Sequence, residues 1–183
     1  RHTVFKNSKG GIYYEELVSR EGFSYIYSNL YHLNMPTQVK ELGPFEKNNK
    51  YTYIKEDHKP YHFNKCLYDE SILYNKDISI NSFYHGPQHG GDENEFFRNG
   101  DSDLLIYIQN GAGTLLTNYG DLNFHNGDYI VIPRGVIYQI YPRDPEADMD
   151  GIAIYSKSPI ETPSKYRNRV GQLLEHSPFC ERD

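Results

Sequence analysis

The stretch Gly127-Asp128-Tyr129-Ile130-Val131-Ile132-Pro133-Arg134-Gly135-Val136-Ile137-Tyr138 decides how this chain is read. One apolar run, Tyr129–Ile132, is closed by Pro133 and Gly135, and a second, residues 136–140, follows at once. Proline fixes φ and glycine accepts positive φ, so Pro133-Arg134-Gly135 is read as a tight turn between two β-strands.

Outward from that stretch the same texture repeats. Short strands are expected at residues 61–66, 78–84, 104–108, 113–117, 128–132, 136–141 and 152–155. Turn signals separate them: Gly86-Pro87, Gly90-Gly91, Asn99-Gly100, Asn110-Gly111, Tyr119-Gly120 and Asn126-Gly127. Many short strands with glycine-rich turns predict an all-β, antiparallel sandwich or barrel. Alternation along the strands directs Leu104, Ile106, Ile108, Tyr129, Val131 and Tyr138 inward.

Residues 1–60 read as an extended N-terminal β arm packed on the barrel. Lys6-Asn7-Ser8-Lys9-Gly10-Gly11 is turn chemistry between strands at 3–5 and 12–14. Residues 24–33 are extended and rich in apolar side chains, and another strand is expected at 51–54. The barrel then occupies 61–156, and 157–183 form a linker and a short helix. Ser164 is the candidate cap of that helix, and Tyr166, Val170, Leu173 and Leu174 lie on its apolar face.

The chain has 183 residues, enough for one domain with a sizeable core, and its 18 Tyr and 9 Phe suit half-buried strands. A formal net charge of −6 argues against a surface that neutralises phosphates, so no nucleic-acid partner is expected. No apolar run approaches membrane-spanning length, so no membrane partner is expected either. Cys66 and Cys180 are far apart and match no metal-ligand spacing, which suits a reducing, cytoplasmic compartment. The start at Arg1 and the ending Glu181-Arg182-Asp183 suggest a piece of a longer polypeptide.

Gly127, Pro133 and Gly135 also keep the spacing of the second cupin signature: glycine, five residues, proline, one residue, glycine, two residues, histidine. The histidine position holds Tyr138. In the first cupin signature Gly111 supplies the closing glycine, and the glutamate position is then Leu104. The two histidine positions fall on Phe97 and Asn99, or on Arg98 and Gly100 in the shorter variant. A non-haem iron(II) site needs imidazoles and a carboxylate converging on one face. The chain thus resembles a cupin jelly roll that has lost its ligands, with apolar and aromatic groups expected inside.

Other ligand candidates are few. His85 and His89 stand four apart with acids nearby, but the flanking glycines and Pro87 make a loop, not a helix, and two solvated histidines are the preferred reading. His58 and His62 straddle Lys59-Pro60, and His125 precedes a turn and is expected to be exposed. Glu93 and Glu95 show no partner that would tune them for acid–base work, and neither cysteine has a neighbouring histidine. No catalytic or cofactor-binding residue is assigned.

Several segments together carry a more specific resemblance. Arg1-His2-Thr3-Val4-Phe5, Tyr14-Glu15-Glu16-Leu17-Val18, Glu21-Gly22-Phe23-Ser24, Tyr31-His32-Leu33, the Gly127 to Gly135 stretch and the ending from Gly171 to Asp183 are similar to the N-terminal part of homogentisate 1,2-dioxygenase in its shorter prokaryotic form. The resemblance implies a cupin-type double-stranded β-helix and a parent enzyme of tyrosine and phenylalanine breakdown. Such an enzyme uses iron(II) and oxygen to open the homogentisate ring to maleylacetoacetate. It further implies that the iron ligands and the acid–base histidine lie in a C-terminal catalytic cupin beyond Asp183. This chain would be the metal-free scaffold, with that catalytic cupin and further copies of itself as partners, and inactive alone. The rival expectation is a free-standing cupin that binds a small ligand, or a metal through His85 and His89. A purely structural assembly module is a third.

Overall fold

The structure, a computed structural model, describes residues 4–20, 22–23, 27–41, 68–85 and 96–178. The chain divides into two compact units, one of residues 54–161 and one of 1–53 with 162–183.

The larger unit is built on strands β3 (Tyr68–Tyr74), β4 (Ile78–His85), β5 (Phe97–Arg98), β6 (Asp103–Asn110), β7 (Gly113–Thr117), β8 (Gly120–Phe124), β9 (Tyr129–Ile132), β10 (Ile137–Pro142) and β11 (Met149–Ser156). They form two antiparallel sheets, ordered β3-β4-β11-β6-β9 and β5-β10-β7-β8. Side chains from both sheets share one core: Phe83, Leu104, Ile106 and Ile108 from the first meet Leu115, Phe124, Tyr138 and Ile140 from the second. Two antiparallel sheets closing on a common apolar core make the jelly roll. The strands expected from the turn pattern at 78–84, 104–108, 113–117, 128–132, 136–141 and 152–155 are present; those at 51–54 and 61–66 lie outside the described residues, and β3, β5 and β8 had not been expected.

The Pro133-Arg134-Gly135 turn is closed by a hydrogen bond from the Val136 N–H to the Pro133 carbonyl at 3.2 Å. Gly135 has φ 85°, in the left-handed region where a Cβ is costly. Its flanking strands belong to different sheets, so this turn carries the chain from one layer to the other rather than closing a hairpin.

Two inward assignments are corrected. Tyr129 and Val131 point outward, and Ile130 and Ile132 are buried in their place. The register explains this: β9 pairs with β6 as Leu104↔Ile132 and Ile106↔Ile130. Directly opposed residues share a face, so the inward β6 residues draw Ile130 and Ile132 inward. The sequence Tyr-Ile-Val-Ile is apolar in both parities and could not choose between them. Leu104, Ile106, Ile108 and Tyr138 are buried as expected.

In the smaller unit β1 (Tyr14–Val18) pairs antiparallel with β2 (Ser28–His32). The expected turn at its start is present: the Asn7 side chain accepts the N–H groups of Lys9 and Gly11, and Lys6 bridges to Ile12. The expected tail helix is corrected. A single 3-10 turn, Ser164–Tyr166, gives way to a loop bridged between Arg167 and Leu173. The Asn168 carboxamide oxygen takes the N–H groups of Val170 and Gln172 at 3.0 Å each. This local bonding competes with helical hydrogen bonds and wins.

Candidate functional site

The positions where a cupin would hold its metal sit inside the roll. Phe97 on β5 lies directly opposite Tyr138 on β10. Their rings meet edge to face with centroids 5.8 Å apart, a favourable arrangement for paired aromatics. Tyr138 and Leu104 are each 1% exposed. Leu104 stands between Ile132 and Tyr155 in the cross-strand register, so the row around the glutamate position is apolar apart from a phenol.

The remaining histidine positions are committed elsewhere. The Asn99 carboxamide oxygen accepts the N–H groups of Asp101 and Ser102, while its nitrogen donates to the Ser102 hydroxyl. The Arg98 guanidinium Nε donates to the Gly135 carbonyl at 2.8 Å, and the Gly135 N–H donates to the Asn99 carbonyl at 2.7 Å. These bonds lash β5 to the Pro133–Gly135 turn. Leu104 and Phe97 have no donor atom, and a lone tyrosine is a poor replacement for imidazole. This set does not fit a ferrous ion.

One buried carboxylate was not singled out by sequence. Asp103 is 1% exposed. Its Oδ1 accepts the Arg134 N–H at 2.9 Å and its Oδ2 the Ile160 N–H at 2.7 Å. One side chain therefore pins both the inter-sheet turn and the chain leaving β11. A carboxylate accepting two backbone N–H groups is a strong, charge-assisted clamp. Nothing in Gly100-Asp101-Ser102-Asp103 distinguishes it from a solvated turn acid.

His85 is not in a solvated loop, which corrects that reading. It is the last residue of β4, opposite Met149 and 5% exposed, on the inward face with Ser79, Asn81 and Phe83. On that face the Ser79 hydroxyl donates to Asn81 Oδ1 at 2.8 Å. His89 lies outside the described residues, as do His58, His62, Cys66, Glu93, Glu95 and Cys180. Among the described residues no group of three or more His, Cys, Asp or Glu is placed to hold a metal ion. His125 is exposed as expected, with Arg143 Nη2 3.2 Å from its Nε2.

The far end of the roll carries a shallow cleft of about 390 Å3 lined in part by Asn110, Gly111, Asn126, Arg143 and Asp148. Beside it the Tyr84 hydroxyl donates to Asp148 Oδ1 at 2.6 Å. That bond to a carboxylate, with lesser help from burial, raises the Tyr84 pKa above the usual phenol value.

A two-sheet roll that keeps the glycine and proline framework, with Phe97, Leu104 and Tyr138 packed on its core, defines a cupin-type protein. Residues 56–161 match the family model described as homogentisate 1,2-dioxygenase N-terminal, and the chain belongs to that family. A Saccharolobus solfataricus protein named "Putative dioxygenase SSO1533" is 32% identical over 193 residues, covering all of this chain and 48% of that protein. The chain thus spans about half the length of the curated relative it matches. Among solved structures, a cupin domain from Bordetella pertussis overlaps with a TM-score of 0.39 at 18% identity, covering 50% of this chain and 94% of that one. KdgF from Halomonas sp. overlaps with a TM-score of 0.43 at 15% identity, covering 58% of this chain and 92% of that one. Among the described residues no helix is long and apolar enough to cross a membrane.

Proposed function

We propose that this chain is the N-terminal, metal-free half of a longer dioxygenase that opens the homogentisate ring to maleylacetoacetate. In this reading the iron(II) is held by the other half, and the present roll is its scaffold and an oligomer surface in the cytoplasm. The carrying observation is the filled centre: Tyr138 and Leu104 are buried where an imidazole and a carboxylate would have to be. Ring cleavage needs substrate and oxygen side by side on one metal with open positions. Among the described residues that point offers no set of metal donors. The family match and the half-length coverage of a relative named as a dioxygenase support the parent activity.

Oxygen uptake with homogentisate tests the reading. A longer chain continuing past Asp183, loaded with iron(II), should consume oxygen, and the 183-residue chain should not. Uptake by the short chain would place the chemistry in this roll. An iron-loaded longer chain inert toward homogentisate would mean a different substrate.

A further inference from the structure

Three Asn-Gly pairs lie in turns of the roll: Asn99-Gly100, Asn110-Gly111 and Asn126-Gly127. Such a pair is chemically labile, because glycine leaves its own nitrogen unhindered for attack on the preceding carboxamide. The glycine nitrogen loses its proton and bonds to the asparagine Cγ, and ammonia leaves. Water then opens the succinimide to aspartate or isoaspartate. At position 111 the fold demands the glycine. Gly111 has φ 114°, and a Cβ there would stand 2.6 Å from Met149 Cγ and 3.2 Å from Met149 Cα. Any other residue would strain the backbone and displace Met149, which is buried in the core. Asn110 is exposed at the end of β6, and its Nδ2 meets the Asp148 carbonyl at 3.4 Å, too long for a firm hold.

We propose that Asn110 is a deamidation site of this chain and that the Asn126 side chain is its brake. Asn126 Oδ1 accepts the Gly111 N–H at 2.8 Å. The nitrogen that would attack Asn110 is thereby held as a donor. Losing its proton, or turning its lone pair toward Cγ, first costs this bond. The other two pairs are held differently. The Gly127 N–H, whose nitrogen would attack Asn126, donates to the Ile108 carbonyl of the main chain at 2.7 Å. The Asn99 carboxamide is fixed by the Asp101 and Ser102 N–H groups and by the Ser102 hydroxyl, so its Cγ is not free to swing onto Gly100. Among these three pairs, only Asn110-Gly111 is guarded by a single exposed side chain. Reaction there would set a carboxylate beside Asp148 and opposite Asp150, in a chain whose net charge is already −6. Isoaspartate would also add a methylene to the main chain where the β6–β11 register shifts. The inference concerns the chemical lifetime of this turn and stands apart from the proposed function.

Incubation of the 183-residue chain at neutral pH, with peptide mapping of aspartate and isoaspartate at Asn110, is the test. The same measurement in urea supplies the unrestrained rate. Asn110 should react about fivefold more slowly in the folded chain than in urea, the factor that one net hydrogen bond supplies. Asn126→Ala should remove most of that difference and speed hydrogen exchange of the Gly111 N–H in parallel. Asn126→Asp keeps an acceptor for that N–H and should react at Asn110 no faster than the unaltered chain. The Asn99 rate should be the same in all three chains. The proposal fails if Asn110 reacts equally fast folded and in urea, or if Asn126→Ala leaves it slow. It fails equally if Asn126→Asp releases Asn110 as fully as alanine does, or if Asn99 accelerates alongside, since the roll as a whole would then be the brake.

Discussion

Phe97 and Tyr138 face each other across β5 and β10, edge to face at 5.8 Å, Tyr138 on the histidine position of the second cupin signature and Phe97 on one of the first signature in its longer variant. The contact turns a ligand site into a piece of core. Tyr138→His would restore one signature residue, yet it should gain no metal, since Leu104 and Phe97 still contribute no donor. The smaller ring leaves a gap against Phe97 and should cost about 2–3 kcal/mol in urea unfolding. A metal bound tightly by this single variant would show that the site is only one residue short of function.

Asp103 should be intolerant of its closest isostere. In Asp103→Asn one oxygen becomes an NH2 that faces a backbone N–H, either that of Arg134 or that of Ile160. A lost charge-assisted bond and a donor left against a donor should destabilise by about 2–4 kcal/mol, read as a fall in the urea midpoint at unchanged slope. A shift within about 0.5 kcal/mol, typical of surface sites, would deny the clamp.

Gly151 is required by close approach rather than by its backbone angles. A Cβ there would stand 2.0 Å from the Tyr107 carbonyl oxygen and 2.8 Å from the Phe83 ring. The carbonyl belongs to neighbouring strand β6 and cannot step aside without breaking the ladder. Gly151→Ala should therefore cost about 2–3 kcal/mol through overpacking, although alanine usually stabilises a strand relative to glycine. A neutral or stabilising outcome in thermal unfolding would contradict the register of β11 against β6.

Much of this fold was legible because turn chemistry is local. Asn110-Gly111 and Asn126-Gly127 mark strand ends whatever the rest of the chain does, and Gly135 adopts the positive φ its turn needs. What could not be read depended on partners distant in sequence. The facing of Tyr129 and Val131 follows from pairing with β6, not from Tyr-Ile-Val-Ile itself. The expected tail helix rested on the spacing of Tyr166, Val170 and Leu173, while the Asn168 side chain settled the loop. His85 looked like a loop residue because Gly86-Pro87 follows it, yet β4 runs up to it and buries it. At the candidate site the signature spacing picked out Leu104 and Tyr138, and both are buried. The Asp103 clamp had no signal, because one acid in a polar turn resembles any other.

Tyr84 should ionise above the usual phenol pKa. Its hydroxyl donates to the Asp148 carboxylate, and ionisation would destroy that bond and set two negative charges together. The folded-state pKa is thus above the unfolded one. Any stability from this pair is fully present below the ordinary phenol pKa and fades as pH rises through the raised value. A spectrophotometric titration of the unaltered chain minus Tyr84→Phe should isolate this late phenolate, and Asp148→Asn should move it back down. A Tyr84 titration unaffected by Asp148→Asn would disprove the coupling.

Elemental analysis of the purified chain, from cells grown with iron and zinc, tests the central claim most directly. The account predicts well below one metal ion per chain, and no further loss in His85→Ala, because among the described residues the core around Leu104, Phe97 and Tyr138 offers no set of donors. One tightly held ion per chain, released by His85→Ala or His89→Ala, would contradict it and place a working metal centre in this half of the protein.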